Sequence, residues 1–411
     1  MLWKYDCIVA EKVDGDKATR RRRRISQARF CAMKDSDLMR CDMTDRDYML
    51  RAIELAAKGL GYTNPNPLVG AVIVKDGRII GEGYHEVYGS LHAERNAIKN
   101  LTESAQGADM YVTLEPCCHF GKQPPCTEAV ISSGVKRVFV GSFDPNPKVA
   151  GKGTALLREA GIEVIEGFMR EECDALNPVF FHYISTNEPY IALKYAMTAD
   201  GKIATGTGKS QWITGEAARN HVHELRGIYK GILVGIGTVL ADDPMLTCRI
   251  EGKRNPVRIV MDTNLRIPEN CKLMTSVTAD TPVIIVCGKD ADPDKKNRLT
   301  EAGAEVISVE LDGDSVSVNE MLRELGARGI DGILVEGGGK VNASFVKAQK
   351  VNCVYTYLGA KIFGGEGKYS PVTGAGIDEV SEALELCAPE VKVFGDDVLL
   401  KYNVRELMPR M

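Results

Sequence analysis

The sequence predicts an α/β chain in two successive parts, 44–187 and 188–411, behind an extension over 1–43. Three observations predict it. Short apolar strand-like runs alternate with helical stretches from Thr44 onward, the pattern of sheets covered by helices. A turn-like Ser185-Thr186-Asn187-Glu188-Pro189 interrupts that alternation, and the segment from Tyr183 to Pro189 reads as a linker. A length of 411 residues also gives room for two or three domains with cores of their own.

Composition narrows the function classes. Hydrophobic content of 44% and charged content of 26% are those of a globular chain, and a net charge of −4 supplies no basic field for nucleic acid. No apolar run approaches the roughly 18 residues that a membrane span needs. Twelve cysteines are too dilute for a disulfide scaffold. Without a secretory signal they read as reduced thiols in the cytoplasm. The extension carries 11 Lys/Arg against 7 Asp/Glu, including Arg20 to Arg24. Its acids argue against a transit peptide. It reads as a disordered extension ahead of a folded chain that begins near Met43, with a nucleic-acid arm as the alternative.

The elements of the first part follow from local signals. Thr44 caps a helix whose apolar face is Met49, Ala52, Ile53, Ala56 and Leu60, closed by Gly59 and Gly61. Leu68–Val74 and Ile79–Tyr84 are strands joined by an Asp76-Gly77 hairpin turn. A helix over His92–Leu101, a strand over Met110–Leu114, a helix from Pro125 and a strand over Val135–Gly141 come next. A helix over Lys152–Ala160 and a strand over Ile162–Ile165 complete the set.

Chemistry concentrates between His92 and Cys126. His92-Ala93-Glu94, Pro116-Cys117 and Pro125-Cys126 offer one imidazole and two thiols, the donors zinc prefers. Three protein ligands leave a fourth position for water, whose pKa the metal lowers towards neutrality. Glu94, beside the metal and not a ligand, has the place of the proton shuttle in zinc deaminases. Eight residues separate the two cysteines where the common deaminase signature has two. Both His92 and Cys126 fall at predicted helix starts, where partial positive charge favours thiolate. A structural zinc closed by Cys118 or His119 is one alternative reading; plain core cysteines are another.

In the second part the strands are Tyr190–Ala196, Gly231–Gly235, Val257–Met261, Val283–Cys287 and Gly332–Val335. Thr214 is expected to cap a helix from Glu216 to Arg226, and Thr238 to Thr247 to form a loop. His221 and His223 on that helix are expected at the surface. Glu336 to Asn342 is a glycine-rich loop before a helix running to Lys347. Strand, glycine loop and helix start together offer free N–H groups to a phosphate, although such loops often merely turn. Gly235-Ile236-Gly237 is a weaker version of the same signal.

Certain blocks together closely resemble the family of bifunctional riboflavin-biosynthesis deaminase–reductases. They are Asn64-Pro65-Asn66-Pro67-Leu68-Val69-Gly70, His92-Ala93-Glu94, Glu115 to Cys126, Asp144-Pro145-Asn146-Pro147, and Val149 to Gly153. Lys194 to Gly201, Ser210 to Thr214, Thr238 to Pro244 and Glu336 to Gly339 resemble that family's reductase half. The longer cysteine spacing is the family's version. One departure is Cys118, where a small polar residue such as Ser is expected.

The resemblance implies a cytidine-deaminase-like three-layer α/β/α domain followed by a dihydrofolate-reductase-like α/β domain. It implies Zn2+ on His92, Cys117 and Cys126, Glu94 as proton shuttle, and substrate held by Asn66, His85, His119, Lys122, Asp144 and Asn146. In the second half it implies NADPH held by Ala196, Trp212, Thr238, Asp242 and the loop Gly338, Gly339, Lys340, Val341, Asn342, Ala343 and Ser344. Ser210, Arg226, Leu246, Arg249 and Glu336 would hold the substrate there. The substrate would be a pyrimidine ribosyl phosphate, with no nucleic acid or membrane partner, in a homo-oligomer paired through the reductase half. Two rivals stand beside it: a base deaminase acting on nucleic acid, and a non-catalytic zinc-stabilised interaction protein.

Overall fold

The computed structural model describes residues 43–120, 123–146, 149–365 and 369–405. The extension read over 1–43 lies outside them apart from Met43. From Thr44 onward the chain is built on two large sheets. The first contains β1 (Gly70–Lys75), β2 (Arg78–Tyr84), β3 (Asp109–Leu114), β4 (Arg137–Ser142) and β5 (Glu163–Glu166), in the order β2-β1-β3-β4-β5. Both neighbours of β1 run antiparallel to it, while β3, β4 and β5 are parallel. Asp76 and Gly77 both take positive φ, 49° and 72°, the geometry of the two-residue turn expected there.

Strand periodicity makes the three layers. Val72, Val74, Tyr111 and Phe139 face the helix Asp45–Ala57, packing on Tyr48, Met49, Ala52 and Leu55. Ala71, Ile73, Met110, Val112, Val138 and Val140 face the opposite way, against Ala93, Ala97, Val130 and Leu157 from three other helices. Alternate residues of one strand thus serve two cores. Thr44 caps the first helix as expected: its hydroxyl accepts from Asp47 N–H at 3.4 Å, and the Asp47 carboxylate accepts from Thr44 N–H at 2.8 Å.

The second sheet begins at β6 (Tyr190–Thr198) and includes β7 (Gly231–Gly235), β8 (Val257–Met261), β9 (Val283–Gly288) and β10 (Glu305–Val309). A two-stranded ribbon, β11 (Leu311–Asp312) with β12 (Ser315–Val316), precedes β13 (Gly332–Val335). The chain returns through β14 (Cys353–Gly359), β15 (Glu390–Phe394) and β16 (Asp397–Asn403). The nine-stranded order is β10-β9-β8-β7-β13-β6-β14-β16-β15, parallel as far as β14 and antiparallel beyond. From β7 the chain moves on to β8 on one side, and from β13 to β14 on the other. Their carboxyl ends therefore form the switch point where open α/β sheets bind ligands.

Several expectations are corrected. The linker over Tyr183 to Pro189 is helical through Thr186, as the end of the helix Pro178–Thr186, which Asn187 closes at φ 57°. The loop expected over Thr238 to Thr247 is helical from Ile236 to Asp242. Val239 packs into the core there, and Asp243 leaves the helix at φ 39° because Pro244 disfavours helical geometry in the residue before it. Thr214 is not the cap of the helix Glu216–Ile228: Gly215 holds that position, and the Thr214 carbonyl accepts from Arg219. His221 is not at the surface. It shares the buried stripe Ala218, His221, Val222, Leu225, and its Nδ1 lies 2.6 Å from the Tyr357 hydroxyl. His223 also turns inward, its Nδ1 buried without a hydrogen-bond partner. Among the described residues no helix is long and apolar enough to cross a membrane.

Candidate active sites

The local folding predicted around His92 and Cys126 is what brings the donors together. His92 sits just before the helix Ala93–Lys99, and Cys126 opens the helix Cys126–Ser133 directly after Pro125. Cys117 follows the end of β3. His92 Nδ1 lies 3.5 Å from Cys117 Sγ and 3.3 Å from Cys126 Sγ, and all three donor atoms fall within 4.8 Å of one another. Among the described residues neither Cys118 nor His119 joins this group. That is the three-donor set of an open zinc site and not the closed four-donor set. The Cys126 thiol and its backbone N–H, the latter at 3.4 Å, both donate to Cys117, and with His92 beside it they pull that thiol below its ordinary value. The same pairing pushes Cys126 up.

Glu94 stands on the first turn of its helix and is only 3% exposed. Burial, reinforced by the neighbouring Cys117, pushes its carboxyl up to about 7. A carboxyl near neutrality can both take and give a proton.

The surrounding residues hold one another. His85 is buried, its Nδ1 3.1 Å from the Leu91 carbonyl and its Nε2 3.2 Å from Asn66 Nδ2. Since the carbonyl can only accept, Nδ1 carries the proton and Nε2 accepts from Asn66. The His85 ring stands edge-on to His92 with centroids 5.2 Å apart. Burial pushes the Asp144 carboxyl up to about 6, although Asn146 N–H donates to it at 2.9 Å. His119 keeps a buried Nδ1 without a partner. Lys122 lies outside the described residues. Two further residues were assigned no role by the sequence. The Glu115 carboxylate, nearly sealed from solvent, accepts from Gly151 and Gly153 N–H, both at 3.0 Å, fixing the loop that follows Asp144 and Asn146. Arg95 donates to the Pro124 and Pro125 carbonyls at 3.3 and 2.8 Å, bracing the approach to Cys126. Glu115 falls inside a quoted motif, so its signal was present; Arg95 gave none.

The second site is a cavity of about 1110 Å³ at the carboxyl ends of β7 and β13. Its walls include Ala196, Ser210, Trp212, Arg226, Thr238, Asp242, Leu246, Arg249, Glu336, Gly338, Gly339, Lys340, Val341 and Ser344. Asn342 and Ala343 are not among them; Asn342 is fully buried and donates to the Pro371 carbonyl at 2.8 Å. The expected loop Gly338 to Ser344 is in fact helical from Gly339. Two glycine turns meet here. A Cβ on Gly235 would lie 2.6 Å from Val341 Cγ2, and one on Gly339 would lie 2.6 Å from the Ser370 carbonyl. Only glycine permits this approach, so the first turn after β7 is a packed part of the cradle and not a simple turn. Helix starts after both glycine turns aim at one cavity, which suits a phosphate-bearing nucleotide.

Glu336 lies between two cations. Arg226 grips it with Nε and Nη2, at 2.7 and 3.1 Å, and Lys194 reaches it at 3.3 Å. Burial pushes the Glu336 carboxyl up, but the Arg226 and Lys194 charges outweigh it and hold the group at about 2. Arg226, expected among the substrate residues, is thus ion-paired to Glu336, another of them. Arg249 lines the same cavity, and among the described residues no ion pair ties it.

A zinc centre of deaminase type followed by a reductase cavity on a parallel sheet defines a two-site enzyme of base deamination and reduction. Comparison with known proteins agrees. The cytidine and deoxycytidylate deaminase zinc-binding region matches residues 42–142, and the RibD C-terminal domain matches 189–400. A riboflavin biosynthesis protein RibD from Actinobacillus pleuropneumoniae is 50% identical over 362 residues, 88% of this chain and 96% of that relative. Its counterpart from Bacillus amyloliquefaciens is 45% identical over 354 residues, 86% and 94%. The crystal structure of a diaminohydroxyphosphoribosylaminopyrimidine deaminase/5-amino-6-(5-phosphoribosylamino)uracil reductase from Thermotoga maritima is similar at 42% identity. Its TM-score is 0.76, and the match covers 87% of this chain and 98% of that one. The chain belongs to the RibD family of riboflavin biosynthesis proteins. It is a bifunctional deaminase and reductase, with zinc and NADPH as its cofactors.

Proposed function

We propose that the first half hydrolytically deaminates 2,5-diamino-6-ribosylamino-4(3H)-pyrimidinone 5′-phosphate, and that the second half reduces the ribosyl group of the product to a ribityl chain. The observation that carries this reading is the convergence of His92, Cys117 and Cys126 beside the buried carboxyl of Glu94. His92, Cys117 and Cys126 would hold zinc, which when bound would supply a water acidified towards hydroxide. Glu94 accepts the proton of the attacking water and returns it to the departing amine. One C–N bond breaks, one C=O forms and ammonia leaves. Asn66 and His85, already joined to each other, hold the substrate. His119, Asp144 and Asn146 also hold the substrate, and Lys122 is the cation for its phosphate.

In the second half NADPH, when bound, supplies hydride. Gly338 to Val341 and Ser344 hold its phosphates and ribose, with Ala196, Trp212, Thr238 and Asp242 along the cavity wall. Ser210, Leu246 and Arg249 hold the substrate. Arg226 and Lys194, fixed by Glu336, keep one net positive charge beside it. A cytoplasmic location is supported by nine described cysteines that are all free thiols. Pairing through the reductase half is supported by the outermost strand β15, whose Val391 and Val393 are 60% and 68% exposed.

The test is a two-step assay on the purified protein. Ammonia release without NADPH, followed by NADPH oxidation when the cofactor is added, is the expected result. A protein that holds zinc yet releases no ammonia from this pyrimidine overturns the substrate assignment.

A further inference from the structure

The segment carrying Asn66 is gripped by the other half of the chain. Two residues before Asn66, the Asn64 side chain has both ends of its amide occupied. Its Nδ2 donates to Asp331 at 2.7 Å, and its Oδ1 accepts from Arg254 at 2.8 Å. Asp331 is 2% exposed, and the Arg254 Nε is buried. Nearby, Tyr62 donates to the Gly252 carbonyl at 2.8 Å, and Lys253 sits 4.4 Å over the Tyr62 ring. Lys253 also donates to the Leu60 carbonyl at 3.3 Å. The stretch 60–64 is thus clamped by 252–254 and 331. Beyond it, Asn66 N–H donates to Thr63 at 2.8 Å, and the Asn66 side chain donates to His85. The clamp also connects to the second site: Arg254 follows Arg249 by five positions, and Asp331 leads into β13 and Glu336.

We infer that the reductase half positions the deaminase's substrate loop, with Asn64 as the positioning residue and Asp331 with Arg254 as its clamp. The inference rests on the reading of Asn66 as a substrate residue. An amide held at both ends by buried charged groups cannot swing, so the backbone two residues on, and the Asn66 amide with it, keeps one orientation towards the zinc site. Small displacements of such a group are costly, because a binding contact misplaced by about 1 Å forfeits much of its energy. Deamination therefore depends on residues that belong by sequence to the other enzyme.

The test compares the full-length, zinc-loaded wild type with Asn64→Ala, Asp331→Asn, the exchange Asn64→Asp/Asp331→Asn, and Asn66→Ala. Ammonia release is measured without NADPH, and NADPH oxidation is measured with the deaminated substrate. Asn64→Ala removes both hydrogen bonds of the clamp and is expected to raise the deaminase KM about tenfold, the worth of one Asn66–substrate hydrogen bond, with kcat nearly kept. NADPH oxidation and zinc content stay at wild-type values. The exchange variant returns a carboxylate and an amide in swapped places and is expected to recover most of the KM. If Asn66→Ala leaves KM unmoved, the substrate reading itself fails, and the inference with it. If Asn66→Ala raises KM and Asn64→Ala does not, the inference alone fails. It also fails if Asn64→Ala lowers both activities and the melting temperature together with no recovery in the exchange, since the clamp is then merely structural.

Discussion

Replacing Glu336 by Gln removes one buried charge and leaves two. The Glu336, Arg226 and Lys194 side chains are 9%, 14% and 16% exposed, so solvent screens them little. The amide keeps the shape and can still accept a hydrogen bond, but it cannot balance the cations. Two routes give the size of the effect. The carboxyl lies at about 2 in place of the usual 4.5, and at about 1.4 kcal/mol per unit this amounts to roughly 3 kcal/mol. Breaking a buried ion pair from one side also costs about 3–5 kcal/mol. The pH dependence has a definite sign. Because the folded carboxyl is depressed, its contribution is complete above about 4.5 and is lost as pH falls towards about 2. The variant should lack that acid loss. Urea unfolding at neutral pH, followed by the fluorescence of Trp212 in the same half, should show a loss of about 3 kcal/mol. NADPH oxidation should fall about a hundredfold in kcat/KM, while ammonia release continues. A stability loss under about 0.5 kcal/mol with unchanged reduction would refute the charge-triad reasoning.

Other outcomes follow from the same geometry. Chelating the zinc should abolish ammonia release yet leave NADPH oxidation with pre-deaminated substrate intact, since the two sites share no donor; parallel loss of both would contradict this. Gly339→Ala forces a Cβ to 2.6 Å from the Ser370 carbonyl oxygen, a backbone atom. It should cost about 1–3 kcal/mol and raise the KM for NADPH severalfold, as read by cofactor titration. Burial holds the His221 imidazole down at about 4, below its ordinary 6.5. Its neutral form is therefore required, and stability should fall by up to roughly 3 kcal/mol as pH drops from 6.5 towards 4. His221→Phe should flatten that decline in acid unfolding curves; an unchanged slope would sink the assignment.

The zinc site was legible because its signals are local. Pro125 before Cys126, the helix start at His92 and the strand end before Cys117 are each readable from a few neighbours, and together they fix three donors. The Asp76-Gly77 hairpin and the Thr44 cap were legible for the same reason. The helix over Ile236–Asp242 was hidden by Asp242-Asp243-Pro244, which reads as a loop although the residues before it pack into the core. His221 was misplaced because its partner, Tyr357, lies 136 positions away. The ion pair between Arg226 and Glu336 left no local signal for the same reason, as the two lie 110 positions apart. The Asn64 clamp spans 190 and 267 positions and leaves no periodic trace at all. Cys118, the departure from the family pattern, stays out of the donor group, so the ligand set is unaffected by it.

Glu94 is proposed to move the protons of a zinc-dependent deamination. The most direct measurement is ammonia release from the diaminopyrimidinone ribosyl phosphate, without NADPH, by wild type and Glu94→Gln at equal zinc content. Release by the wild type is expected, with a fall of at least about a hundredfold in the variant, the usual size of a general acid–base contribution. Equal rates at equal zinc would contradict it.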